Sequence, residues 1–170
     1  MRRRSDTPSR GEISETREGQ EERMSEGKEQ LNVTTEDMDT VCDTLDGLSG
    51  DGSSEGVELA TSAIERAQDV TAEAFDSQSE ELDVVCSEAE EYQQDLQERS
   101  DSTQADLGKV SDAGGRIQTD EAANELGRAE EAFMEDMEFL DEQIERSKTA
   151  ADDTRQVKEQ LQGHVQSRRR

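Results

Sequence analysis

Ala113-Gly114-Gly115, followed by Thr119-Asp120-Glu121, is the stretch of this chain that decides its fold. A glycine pair ends a helix because the residue just past the last turn takes a left-handed backbone that glycine adopts without strain. A threonine followed by two acids then caps a new helix and charges its first turn. On both sides of this punctuation the apolar residues recur every three or four positions. Upstream, Val57, Ile64, Phe75, Leu82, Ala89, Leu96 and Val110 mark one stripe; downstream, Leu126, Phe133, Met137, Leu140, Ile144, Ala151, Val157 and Val165 mark another. These spacings predict helices over about 57–112 and 119–166, with a break in the first left open at Ser77 to Glu80, a capping-box spacing, or at the polar patch Ser100 to Thr103. A turn this short makes them antiparallel neighbours. Folding the chain about residues 116 to 117 sets Met137 near Leu96, Leu140 near Tyr92, Ile144 near Ala89, Ala151 near Leu82 and Val157 near Phe75. No alternation of period two occurs, so no strand is expected.

A shorter helix is expected over 34–48. Thr34 is placed to cap it, Val33 can staple onto Met38 across the cap, and Met38, Val41, Leu45 and Leu48 continue the spacing. Gly50-Asp51-Gly52-Ser53-Ser54-Glu55-Gly56 reads as a loop. Folding about residue 52 sets Leu45 near Ala60, Val41 near Ile64 and Met38 near Ala67. Residues 1–28 hold the one proline, Pro8, with Gly11, Gly19 and Gly27 among charged residues, and are expected to be a disordered tail. The expected fold is therefore all-α: an elongated, coiled-coil-like antiparallel helical hairpin occupying 29–170. Its short first helix makes a three-helix bundle at one end, and the Gly-Gly end stays two-stranded.

Charge decides the partners. Asp and Glu number 45 against 19 Lys and Arg, a formal charge of −26 on 170 residues of which 28% are apolar. Residues 1–28 balance, residues 29–153 carry nearly all the excess acid, and residues 154–170 are basic. Such a body repels phosphate and anionic headgroups, so direct contact with nucleic acid or a membrane surface is disfavoured. The arginine clusters at 2–4 and 168–170 read as solubilising ends. Only four basic residues are lysine, Lys28, Lys109, Lys148 and Lys158. Acid excess with few lysines fits a protein from a salt-adapted organism, where salt screens self-repulsion; a high-GC genome encoding an ordinary acidic coiled coil fits it too. No signal peptide or membrane-spanning run is visible, which makes the cytoplasm the expected compartment. Cys42 and Cys86 lack the spacing of a zinc site, and the hairpin register sets them too far apart to bridge.

Motifs that carry chemistry are incomplete. Gly52-Ser53-Ser54-Glu55-Gly56 spells G-x-S-x-G without the strand that a nucleophile elbow needs. Asp51, Ser53, Glu55 and Gly56 imitate the opening of an EF-hand loop, but the closing position holds Ser62 and not glutamate. A carboxylate-bridged metal pair needs Glu-x-x-His on facing helices, and the lone His164 is preceded at three positions by Leu161. The glutamate runs read as solvated faces that would hold divalent cations weakly. No metal or cofactor site and no enzymatic role is expected.

Val33-Thr34-Thr35-Glu36-Asp37-Met38, then Leu48-Ser49-Gly50, then a long helix resembles the helical hairpins of the WXG100 and LXG families. No tryptophan stands at the turn, and Tyr92 is followed by an acid at Asp95, one place short of that group's Y-x-x-x-[DE] signal. The resemblance covers about 30 residues and implies a helical hairpin associated with type VII secretion, exported without a signal peptide.

The expected function is that of a non-enzymatic acidic scaffold, adaptor or assembly subunit acting through a protein partner or a homo-oligomer. Its seam is rich in Ala, Thr and Gln, so a partner would add stability. Phe133, Met134, Met137, Phe139 and Leu140 are the expected contact residues, because together they cover more than one helix face; the same residues could instead fill the hairpin core. An acidic mimic that occupies a basic groove built for nucleic acid is an alternative.

Overall fold

The computed structural model describes residues 7–50 and 54–169. They form three α-helices: α1, Arg10–Ser49; α2, Glu55–Gly114; and α3, Asp120–Arg168. The chain is all-α, and no strand occurs among the described residues. Each helix opens on a hydroxyl that accepts an orphan amide hydrogen: Glu12 N to Ser9 Oγ at 3.2 Å, Val57 N to Ser54 Oγ at 3.3 Å and Ala122 N to Thr119 Oγ1 at 3.4 Å. Acids fill each first turn. α2 runs without a break through the polar patches at Ser77–Glu80 and Ser100–Thr103 and stops at Gly114. The chain then turns, with Arg116 N donating to the Ala113 carbonyl at 3.0 Å.

The amino-terminal segment departs from expectation. The helix expected at Thr34 begins instead at Arg10, so residues 10–28 are helical and not a disordered tail. Ile13, Met24, Leu31 and Met38 are all but fully buried. Ile13, Arg17, Gln20, Met24, Gly27, Leu31, Thr34 and Met38 step by three or four, so the seam is continuous. Its polar and glycine positions at 17, 20 and 27 interrupt the apolar signal without interrupting the helix. Thr34 caps nothing; it is buried, and Thr35 donates to the Leu31 carbonyl at 2.8 Å within the helix. Of the loop expected at 50–56, residues 51–53 lie outside the described residues, Gly50 is in a turn and α2 already starts at Glu55. Arg2 to Arg4 and Arg170 also lie outside them.

The described residues form two compact units. One holds α1 as far as Glu21 together with Glu88–Ala150; the other holds Glu22–Ser87 and the chain from Ala151 onward. In the first unit Ile13, Leu96, Leu140 and Ile144 make the core, with Tyr92 and Phe139 packed against it. α2 and α3 are antiparallel there: Gln93 Nε2 donates to Ser147 Oγ at 2.9 Å and Ser100 Oγ to Asp141 Oδ1 at 3.4 Å. α1 meets α3 through Arg17 Nε donating to Gln143 Oε1, and Arg99 Nη1 of α2 donates to the carbonyl of Pro8, just before α1, at 2.8 Å. From 101 to 139 no residue is fully buried, and Leu107, Val110, Leu126, Phe133 and Met137 are half-buried.

In the second unit the core is Leu31, Met38, Cys42, Ala72, Phe75, Leu82 and Val165, with Leu161 against it. Ion pairs tie its helices together at the rim: Lys28 to Asp153 at 2.7 Å, Lys158 to Asp83, and Arg168 to Asp39 and Asp43. Cys42 and Cys86 are separate buried thiols, as their predicted separation requires.

Both expected registers are displaced. Phe75 shares a core with Val165 and not with Val157, and Gln93 meets Ser147 where the fold-over about 116 to 117 had set Tyr92 opposite Leu140. Asp83 to Lys158 and Ser100 to Asp141 agree with that shift. The slip is about two helical turns along α3. A two-turn slip returns the same stripe to the seam, so apolar spacing alone does not distinguish the two registers. The contacts of Gln93 with Ser147, Ser100 with Asp141 and Asp83 with Lys158 do distinguish them. In the same way Cys42 lies against Gln68, Nε2 to Sγ 3.4 Å, and not level with residues 62 to 63, where the expected fold about residue 52 sets it.

Candidate functional site

The five residues expected to form a contact surface are placed on different sides of the first unit. Leu140 is fully buried in its core, and Phe139 lies half-buried against that core with the Arg10 guanidinium 5.5 Å from its ring centroid. Phe133 and Met137 are half-buried in the 101–139 stretch, and Met134 alone points to solvent, at 59% exposure. The helix period makes this outcome intelligible, since five apolar residues within eight positions span more than one face and the seam takes those that face it.

The second unit carries a more distinct surface. On α1 the residues Arg23, Glu26, Gln30, Val33 and Asp37 step by three or four; on α2 Val70, Ala74, Gln78, Glu81 and Val84 do the same. Between these rows lie two adjoining depressions of about 620 and 360 Å³, both lined by Glu26, Gln30 and Gln78. Val33, Val70 and Val84 are 52%, 64% and 54% exposed. Val70 and Val84 lie close to four turns apart, so they share one side of α2, while Ala72, Phe75 and Leu82 occupy the side that faces the core. α2 thus has an apolar stripe buried on one side and, on another, two exposed valines close to four turns apart with Gln78 and Glu81 between them.

Two contacts fix the groove floor. Thr34 Oγ1 donates to Gln78 Oε1 at 2.7 Å across the helices. Gly27 lets α1 close down on α2: a methyl group there would stand 2.5 Å from Leu82 Cδ1, far inside van der Waals contact. The rim is acidic, with Glu26, Glu29 and Asp37 on α1 and Glu81 on α2 against the one base Arg23. Between Arg66 and Arg99 the chain has eleven Asp and Glu residues and no Lys or Arg. The groove therefore has a mixed floor, with Val33, Val70 and Val84 along its length, inside a negative frame.

Groups with reactive potential are engaged structurally. His164 Nε2 is 2.7 Å from Asp39 Oδ1, and the Cys42 thiol donates to the Arg168 carbonyl at 3.6 Å. Near them a third depression of about 580 Å³ is lined by Cys42, Leu45, Thr61, Gln68 and Arg168. Of the imitated calcium loop, residues 51–53 lie outside the described residues, and Glu58 and Ser62 are turns of α2. Among the described residues no group of three or more His, Cys, Asp or Glu is placed to hold a metal ion, and no helix is long and apolar enough to cross a membrane. In the first unit, burial raises the Tyr92 pKa above its ordinary value; a hydrogen bond with Thr16 and the charge of Arg99 oppose the shift, and Asp95 and Glu12 add to it.

Sequence reasoning followed the core stripe of α2 and passed over Val70 and Val84. The available signal was a pair of β-branched apolar residues off the seam, in a stretch without Lys or Arg. No family model, curated protein or solved structure matches this chain.

Proposed function

We propose that this chain is a non-enzymatic acidic helical scaffold or adaptor that works through protein contact, with the α1/α2 groove of the second unit as its contact surface. The observation that carries this reading is that Val33 on α1 and Val70 and Val84 on α2, each more than half exposed, all line one groove. A chain with 28% apolar residues has few to leave in water, and exposed apolar rows framed by polar residues mark interaction sites. The antiparallel contacts within each unit are consistent with the expected coiled-coil-like hairpin, and the acid excess with cytoplasmic life at high salt. A polyanionic mimic of nucleic acid is a second reading, favoured by the eleven acids unrelieved by any base between Arg66 and Arg99.

A photo-reactive residue placed singly at Val70, Val84 or the exposed Leu59 of the full chain, in cells that make it, tests the first reading. Adducts with another polypeptide at 70 and 84 but not at 59 are expected. Adducts at 59 alone would move the contact elsewhere, and capture that vanishes at moderate salt whatever the position would favour the mimic.

A further inference from the structure

We propose that the groove between α1 and α2 takes one amphipathic, basic helix of a partner protein, which packs as a fourth helix beside the three of the second unit; this rests on the reading of the chain as an interaction protein. The groove has the form such an occupant needs. Its walls, Arg23 to Asp37 on α1 and Val70 to Val85 on α2, are each about four turns long and would match a helix of about 15 residues. Val33, Val70 and Val84 offer apolar contacts for a stripe spaced at three, four and seven, the pattern by which a helix is read in a groove.

Charge then selects among helices. Glu26, Glu29, Asp37 and Glu81 flank the valines, so Lys or Arg on both sides of the partner's stripe would find an acid, whereas an acidic helix would meet repulsion on both walls. That condition argues against a second copy of this chain. Each copy carries −26, and in this unit Lys28 is paired with Asp153, Lys158 with Asp83 and Arg168 with Asp39 and Asp43. Neither α1 nor α2 of another copy presents a basic apolar stripe, and that of α3, Leu161 and Val165 among Arg155, Lys158 and Arg168, is already packed into the core of its own unit. The occupant is therefore a different protein, met by complementary charge and held by apolar contact.

The test uses the full chain and two labelled synthetic peptides of about 18 residues and identical composition, leucine with lysine and arginine. One has leucine at helical spacing and the other is scrambled so that the stripe is lost. The helical peptide is expected to bind at least about tenfold tighter, and Val70→Ser with Val84→Ser to abolish that difference while circular dichroism stays unchanged. Glu26→Gln with Glu81→Gln should weaken binding and flatten its salt dependence. Equal binding of both peptides, or indifference to the serine substitutions, would overturn the proposal. So would a doubling of mass in light scattering that the serine substitutions abolish, because a second copy would then be the occupant. If the peptides show no preference while photo-adducts form at Val70 and Val84, the basic helix fails and the interaction reading stands; if neither occurs, both fail.

Discussion

Thr34 Oγ1 donates to Gln78 Oε1 at 2.7 Å, joining α1 to α2 beneath the exposed valines. Thr34 is buried. Losing the donor would leave the Gln78 carbonyl without this partner, so Thr34→Val should cost about 1–2 kcal/mol in denaturant unfolding. In a cycle with Gln78→Leu the double substitution should cost less than the two singles together. Additivity within about 0.3 kcal/mol would mean that the bond carries no coupling.

Ile13 is wholly buried among Leu96, Leu140 and Ile144. Ile13→Ala should lower the unfolding free energy by about 2–4 kcal/mol, comparable to Leu140→Ala. A variant as stable as the parent would place the start of α1 outside the core.

Tyr92 makes stability depend on alkaline pH. Its folded-state pKa is raised, chiefly by burial, so the folded chain holds this proton more tightly than the unfolded one. The contribution is fully present below the ordinary value of 10.0 and is lost as pH rises through the raised value. Chemical denaturation across that range should show falling stability above pH 10 in the parent and a shallower fall in Tyr92→Phe. Parallel curves would show that other groups dominate.

The charge of −26 should make stability rise with salt. Raising KCl from about 0.1 to 1 M shortens the screening length from about 10 to 3 Å and weakens repulsion among the acids. The same salt weakens exposed interhelix pairs such as Lys28 to Asp153. These are few beside the acid excess, and exposed pairs contribute little, so the net effect expected is a higher thermal midpoint. A midpoint that falls with KCl would show the ion pairs prevailing.

The helical class, the Gly-Gly turn and the Thr119 cap were legible because each rests on local chemistry: caps, glycine punctuation and a period of 3.6; the continuity of α2 was not, because Ser77 to Glu80 carries a capping-box spacing. Register was not either, because a slip of two turns brings the same stripe back to the seam, and only pairwise contacts across the helices, such as Gln93 with Ser147, decide between Val157 and Val165 as the neighbour of Phe75. The amino-terminal half of α1 was hidden by Arg17, Gln20 and Gly27 at seam positions. There Arg17 finds Gln143 and Glu21, and Gly27 makes room for Leu82, so tertiary contacts support what the local pattern does not advertise. Ser9-Arg10-Gly11-Glu12 does hold a capping-box spacing that marks the true start. Val70 and Val84 were overlooked for the converse reason: a solvent-facing valine leaves no trace in a search for the seam.

The groove requires α1 to be helical well before Thr34, because Arg23, Glu26, Gly27 and Gln30 form half of its wall. Hydrogen exchange read peptide by peptide tests this most directly. The amides of residues 13–31 are expected to exchange slowly, within about tenfold of those of 82–96 in α2. Exchange of residues 10–28 at the rate of an unstructured chain, with α2 still protected, would remove that wall and the proposed binding surface with it.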